Sequence, residues 1–249
     1  MKIALKKPPT VRGVTIVENV KQAEKVLDVL FAHPDNTHCL DTETTGVNPK
    51  IETPVGNGRV ICLSAFLGPE VDFGNGPRLW VDTLQDTRVI EAFRPYLEWE
   101  EENKVWHNYW GFDRHVILNH GVQVAGLHAD SLHMARLQDP SSVLFSLEHL
   151  TEKFAGRTKL SMKKLFGQPV TKKDGTPGKK IEVPSTLELQ TTPRFRPGWI
   201  DYSTYDTEGL WYVFKALKAL LERMPWVARL QTNMWDFYQK WWKDLGLEL

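Results

Sequence analysis

Two acidic residues, Asp41 and Glu43, lie two apart in the stretch from His38 to Gly46, after Cys39 and Leu40 and before a turn. The stretch predicts a short buried strand, on which side chains two residues apart lie on the same face, roughly 7 Å from each other. Two carboxylates on one face repel each other unless a cation lies between them. A divalent metal is the expected partner, because magnesium takes carboxylate oxygens together with substrate phosphate. Taken alone, the pair is equally compatible with a solvated strand end.

Two further acidic positions lie at predicted helix starts. Asn108 and Asp113 flank a turn between a short strand and a helix over 111–119, which places Asp113 in the first helical turn. Tyr202 and Asp206 are four residues apart, so on a helix they lie on one face, one turn from each other. Each pattern alone is also ordinary for a polar helix start.

The three motifs together, in their order along the chain, resemble the DEDD 3′–5′ exonucleases. They are Asp41-x-Glu43, Asn108-x3-Phe112-Asp113 and Tyr202-x3-Asp206. The spacing before Asp206 is that of the subgroup with a catalytic tyrosine, because the other subgroup has a histidine where this chain has Asp201.

A narrower resemblance is to the proofreading domain of family A DNA polymerases, and most to those of plant and protist organelles. It rests on four stretches and spans about Val14 to Arg223. The stretches are Asp41 to Gly46, Lys104 to Asp113, Ser146 to Leu150, and the helix that carries Tyr202. The resemblance implies an α/β protein with a ribonuclease H-like (DnaQ-like) fold, in which helices flank a mixed five-stranded sheet.

The resemblance also implies a two-metal site for hydrolysis, with two Mg²⁺ or Mn²⁺ ions. Asp41 is expected to bridge both metals, Glu43 and Asp206 to hold the metal that delivers the water, and Asp113 to act mainly through the water shell of the other. Tyr202 is expected to orient the attacking water.

The implied substrate is the single-stranded or frayed 3′ end of a DNA primer. Its terminal nucleotide is expected to lie against a set of residues around the acids, with stacking that tolerates any base. These residues are Thr42, Thr44, Thr45, Asn108 and Phe112. Trimming of RNA 3′ ends, as in the ribonuclease D type, is the alternative with the same chemistry, and a scaffold with a relict site is the alternative without it.

The formal net charge is zero over 249 residues, yet the charge is segregated. Residues 153–180 contain nine Lys or Arg and one acid. We expect an insertion over about 156–198, partly ordered at most, to contact DNA phosphates, although a flexible insertion that is basic for solubility fits the same pattern. The candidate DNA contacts are Lys163, Lys164, Lys172, Lys173, Lys179 and Lys180.

The predicted organisation is an exonuclease domain over 1–224, followed by a C-terminal helix over 225–249 that begins at Pro225. By the resemblance, that helix leads towards a polymerase domain in the parent chain, and the protein acts in a mitochondrion or plastid. The chain shows no targeting segment, and its apolar runs are too short to span a membrane.

Two further features are an acid at the end of a predicted strand and the two cysteines. Asp130 ends a predicted strand, where it either lies behind the metal ligands or, as we favour, caps the helix from Ser131. Cys39 and Cys62 lie within predicted strands and are expected to be reduced core residues.

Overall fold

In the computed structural model of this protein, the described residues are 11–48, 50–101, 103–171, 176–227 and 232–243. Their strands form one large sheet and a separate hairpin. The sheet contains Val14–Val17 (β1), His38–Thr45 (β2), Arg59–Phe66 (β3), Arg78–Asp82 (β4), Lys104–Trp106 (β5) and Leu127–Asp130 (β6). The hairpin contains Gln168–Thr171 (β7) and Pro177–Glu182 (β8).

The helices flank this sheet and connect its strands. They are Val20–Phe31 (α1), Arg88–Leu97 (α2), Asp113–Leu118 (α3), Ser131–Gln138 (α4), Leu147–Ala155 (α5), Met162–Phe166 (α6), Thr186–Thr191 (α7), Arg196–Arg223 (α8) and Met234–Phe237 (α9). A π-helical turn, Tyr238–Trp242, follows α9. No helix among the described residues is both long and apolar enough to cross a membrane.

The large sheet is mixed and has the strand order β1-β4-β3-β2-β5-β6. The antiparallel pairs β2–β3 and β3–β4 come from hairpin connections, whereas β2–β5 and β5–β6 are parallel and need helical crossovers. The sheet therefore has six strands where five were expected. The additional strand is β1, which pairs in parallel with β4. Because parallel neighbours are not joined by a hairpin, no local turn pattern predicts this pairing.

Successive residues of β2 contribute to two separate cores. Cys39 packs with α4, α5 and α8 on one face of the sheet, while Leu40 packs with α1, α2 and α3 on the other. Because side chains alternate along a strand, Asp41 and Glu43 share the face of Cys39 and point to the side of the sheet on which α8 lies. Both cysteines are buried and free, as expected.

The insertion at 156–198 is more ordered than expected. Its described residues form α6, the β7–β8 hairpin, α7 and the beginning of α8. Phe166 is buried with its ring edge-on to Trp199 and Tyr202, and the buried Gln190 amide donates to the Ile61 carbonyl at 2.7 Å. These anchors are far apart in the sequence, so they leave no periodic pattern to detect.

The C-terminal helix also begins later than expected. Pro225 forms a β-bridge with Asn233, and α9 starts at Met234, where Asn233 and Asp236 form a capping box. The buried Tyr238 packs with α4, α5 and α8, and its hydroxyl accepts a 2.6 Å hydrogen bond from the Asp130 amide. The described part of this segment thus packs on the same core as α8.

Candidate active site

Three of the predicted acids meet between the central sheet and the long helix. β2 contributes Asp41 and Glu43 from one face, and α8 contributes Asp206 from the layer above them. One oxygen from each carboxylate lies within 4.8 Å of the other two. Hard oxygen donors at this spacing suit magnesium or manganese, so the residues present fit a divalent metal ion.

Asp113 approaches the same acids from the other side of the sheet, at the first residue of α3. It is buried, and its carboxylate accepts a 2.6 Å hydrogen bond from the hydroxyl of Thr42, whose side chain alternates with Asp41 and Glu43 on β2. Its charge contributes to the raised pKa of Asp41. Of the four acids picked out by spacing, the structure thus clusters Asp41, Glu43 and Asp206, and it joins Asp113 to the same strand through Thr42.

The turn that leads to Asp113 is held in an unusual conformation. Asn108 has a φ of 63°, in the left-handed region, and its backbone amide donates to Asp130 at 2.9 Å. A Cβ on Gly111 would lie 2.6 Å from the Asn108 side-chain oxygen, so a larger residue there would force the Asn108 side chain to move. Asp130 also accepts from the Leu132 amide at 2.9 Å, which confirms the expected cap of α4. The same carboxylate therefore caps a helix and fixes the turn before Asp113.

The four acids hold their protons unusually tightly. Burial raises the pKa of Glu43 to about 8 and that of Asp113 to about 7. Burial also raises the pKa of Asp41, with the charges of Asp113, Asp206 and Glu43 adding to the effect, and it raises the pKa of Asp206. Clustered buried carboxylates carry excess negative potential, and a bound cation compensates it.

Tyr202 lies on α8 one turn before Asp206, as its spacing predicts. Its ring stacks on Trp199, with an interplanar angle of 12°. Burial raises the pKa of the Tyr202 phenol, which therefore stays protonated at neutral pH. The side chain is thus a hydrogen-bond donor next to the acids.

One member of the site was not singled out from the sequence. Lys159 forms an ion pair with Asp206, and its ammonium lies 3.3 Å from the centroid of the Tyr202 ring. Burial lowers the pKa of Lys159, but its interactions with the Asp206 carboxylate and with Tyr202 outweigh burial and leave it above the ordinary value. In the sequence, Lys159 is one of nine basic residues between 153 and 180, and nothing local distinguishes it from the others.

The expected nucleotide-binding residues lie around these acids and differ in the contacts that they make. The Thr44 carbonyl accepts a 2.7 Å hydrogen bond from the Thr186 hydroxyl, which ties β2 to α7. Thr45 is the last residue of β2, and Phe112 is half-buried immediately before α3.

The candidate DNA lysines are exposed where the structure describes them. Lys163 and Lys164 lie on α6, and Lys179 and Lys180 on β8. Lys180 is 2.5 Å from Glu182. Lys172 and Lys173 lie outside the described residues. The ion pair with Asp206 belongs instead to Lys159, a different lysine of the same basic segment.

A profile of the 3′–5′ exonuclease family matches residues 14–222 of this chain. Among individual proteins, the chain is 40% identical over 256 residues to DNA polymerase I A, chloroplastic/mitochondrial, of Arabidopsis thaliana. It is 39% identical over 254 residues to DNA polymerase I B, mitochondrial, of Oryza sativa subsp. japonica. Each match covers 94% of this chain and 24% of the relative, so the chain spans about a quarter of the length of these polymerases.

The fold is also that of more distant nucleases. The RNase D of Trypanosoma brucei, solved with GMP, superposes with a TM-score of 0.55 at 11% identity, over 82% of this chain and 56% of that protein. This likeness confirms the expected ribonuclease H-like fold. With the profile match and the relatives at about 40% identity, the chain belongs to the 3′–5′ exonuclease family and is homologous to part of the plant organellar DNA polymerases I.

Proposed function

We propose that this protein removes nucleotides from the 3′ end of DNA with two divalent metal ions, Mg²⁺ or Mn²⁺. The observation that carries the proposal is the convergence of Asp41, Glu43 and Asp206 within 4.8 Å, with Asp113 and Tyr202 beside them. A relict scaffold has no physical reason to keep four mutually repelling acids together, since removing any of them relieves the repulsion.

Each acid has a distinct task in this proposal. The charges of the other three carboxylates all act on Asp41, which would contribute to both metal sites. Glu43 and Asp206 would complete one site, and Asp113 would act mainly through the water shell of the other. Bound there, the metals would lower the pKa of a coordinated water and neutralise charge on the phosphate. The Thr42 hydroxyl holds the Asp113 carboxylate in a fixed orientation.

Tyr202 would orient the attacking water through its hydroxyl. A phenol whose pKa is raised cannot act as a base at neutral pH, so its contribution is a hydrogen bond in a fixed direction. The Trp199 stack beneath the ring limits its rotation. A cavity of about 230 Å³ on this side of the site is bordered by Tyr202, Tyr205 and Leu165, among others.

DNA is favoured over RNA because the relatives at about 40% identity are DNA polymerases. The likeness to an RNase D at 11% identity concerns the fold alone. The homology also supports a parent chain with a polymerase domain, for which this protein would proofread in an organelle. In this proposal residues 1–224 form the exonuclease domain and 225–249 lead onward from it.

The deciding experiment compares end-labelled oligomers of one sequence as single-stranded DNA, single-stranded RNA and a primer with a mismatched 3′ end. We expect shortening from the 3′ end of both DNA substrates in magnesium or manganese, none in EDTA, and slower shortening of RNA. Faster shortening of RNA would favour the ribonuclease D alternative, and no metal-dependent cleavage of any substrate would overturn the proposal.

The matched variant for this assay is Tyr202→Phe, which removes one hydroxyl and keeps the stack on Trp199. We expect normal binding of single-stranded DNA and a loss of roughly 10²-fold or more in turnover at saturation, as for other positioned groups that act on proton transfer or orientation. Unchanged turnover would remove Tyr202 from the mechanism and leave the metal site untouched.

A further inference from the structure

Lys159 pairs with one of the clustered acids although it belongs to a separate basic segment. Its ammonium pairs with Asp206, which is also one of the three carboxylates within 4.8 Å of each other. The Lys159 side chain is only 8% exposed, although it is one of the residues of a segment rich in exposed lysines. This lysine is therefore directed into the site.

The backbone that carries Lys159 is fixed from outside the site. Two residues earlier, Arg157 pairs with Glu208 at 2.7 Å, and its guanidinium lies 5.0 Å from the ring centroid of Tyr205 and 5.3 Å from that of Tyr212. All three partners of Arg157 lie on α8, the helix that carries Asp206. The α5–α6 connection, residues 156–161, therefore runs across α8 with Arg157 as its anchor and Lys159 over the acids.

The charge of Lys159 acts on the whole cluster. Besides pairing with Asp206, it lies close to Asp41 and Glu43, because one oxygen from each of the three carboxylates is within 4.8 Å of the other two. A divalent cation bound to the same oxygens would lie within a few ångströms of the ammonium, where like charges repel strongly because little water screens them.

We propose that Lys159 is a built-in counter-ion of the carboxylate cluster, which a divalent cation displaces from Asp206 on binding. The inference rests on the proposed metal-dependent function and goes beyond it, because it makes metal affinity depend on a residue that is not a ligand. The cavity of about 230 Å³ is bordered by Thr158, Lys159 and Leu160, so the displaced side chain has space beside Tyr202 without movement of the Arg157 anchor.

The test is Mn²⁺ binding, measured by calorimetry and by electron paramagnetic resonance, in the wild-type chain and in Lys159→Met. Methionine keeps the length and the apolar stem of the side chain and removes its charge. We expect Lys159→Met to bind Mn²⁺ more tightly by roughly 5- to 100-fold, which is the range of ordinary coupling between two binding events. Lys164→Met, the same change at an exposed position on α6, is the control and should leave the affinity unchanged.

A second measurement uses the wild-type chain and does not depend on a variant that folds. Lysine labelling followed by mass spectrometry should find Lys159 protected without metal and reactive with saturating Mn²⁺, while Lys164 reacts equally in both states. Equal or weaker Mn²⁺ binding by Lys159→Met would overturn the inference, and so would protection of Lys159 that does not change with metal.

These failures are separate from a failure of the proposed function. If the wild-type chain binds Mn²⁺ and Asp206→Asn does not, the metal site stands whatever Lys159→Met shows. If the wild-type chain binds no Mn²⁺, the metal-dependent function itself falls, and the inference falls with it.

Discussion

Two groups of buried charges lie on this one sheet, and they are balanced differently. In the first, Arg196 at the start of α8 is 2.9 Å from Asp82 and 2.6 Å from Glu18, and Asp82 also accepts from the Gln190 amide at 3.0 Å. One cation thus faces two carboxylates, one of which reaches solvent with a side chain 29% exposed.

In the second group, Lys159 is paired with Asp206, one of four neighbouring acids, and burial raises the pKa of each of the four. The first group joins β4 to α7 and α8 and has nearly as much positive charge as its buried part requires. The second group has too little positive charge to balance its four acids. Burial of charge is therefore not itself a sign of function, whereas an uncompensated excess of one sign marks a place for a ligand of the opposite sign.

The largest expected effect is a loss of catalysis when an acid of the second group is replaced. Asp41→Ala removes the acid expected to bridge both metals, and we expect cleavage to fall by at least about 10⁴-fold, or about 5 kcal/mol of transition-state stabilisation. Without metal the variant should be as stable as the wild type or more stable, because one repelling charge is gone. Single-turnover cleavage and thermal unfolding in EDTA measure the two quantities. The control is Glu24→Ala, an exposed acid on α1.

A substitution in the first group should lower stability and leave catalysis almost unchanged. Arg196→Met leaves the fully buried Asp82 without its ion pair, and we expect a loss of about 3–5 kcal/mol in the free energy of unfolding. The catalytic rate of the remaining folded protein should change little. Adding Asp82→Asn should recover part of the loss, and Arg194→Met, at an exposed arginine two residues away, should cost less than about 0.5 kcal/mol. Denaturant unfolding measures these losses. A small loss of stability in Arg196→Met would contradict the proposed difference between the two groups.

A smaller effect is the dependence of metal-free stability on pH. The pKa of Glu43 is about 8 in the folded protein against an ordinary 4.5, so the folded state holds this proton more tightly. Its contribution to stability is therefore complete below pH 4.5 and is lost as the pH rises to about 8. We expect the melting temperature in EDTA to fall across this window, and Glu43→Gln to flatten the fall.

Magnesium should have the opposite dependence on pH, because it binds the ionised carboxylates. The increase in melting temperature that it causes should therefore grow as the pH rises through the same window. A metal-free stability that rises with pH between these values would contradict the raised pKa of Glu43.

The smallest effect on stability is expected in the basic segment, where the described Lys179 and Lys180 are exposed. Replacing Lys172, Lys173, Lys179 and Lys180 with alanine should leave unfolding and saturated cleavage almost unchanged. It should weaken DNA binding and reduce the slope of log affinity against log salt by roughly 0.7–0.9 for each phosphate that the variant no longer neutralises. Binding measured over a salt series gives the slope. An unchanged slope would favour the alternative that this segment docks onto a polymerase domain.

Local spacing was enough to find the acids. A strand places Asp41 and Glu43 on one face, and a helix places Tyr202 one turn from Asp206, whatever the rest of the chain does. Antiparallel neighbours joined by short connections, such as β3 and β4, are also visible locally. Local spacing therefore picked out the candidate acids, whereas their catalytic roles and the class of fold were implied by the resemblance of the three motifs, in their order, to the DEDD exonucleases.

Contacts between distant parts of the chain were decided only by the tertiary structure. Lys159 and Asp206 are 47 residues apart, and Asn108 and Asp130 are 22 apart. Parallel pairing of β1 with β4 and the anchoring of the 156–198 segment through Gln190 are of the same kind. Periodicity reports which face of an element is apolar, but it does not report which element that face meets. The sequence alone thus identified the acids that repel each other, and only the folded chain showed the lysine that lies against them.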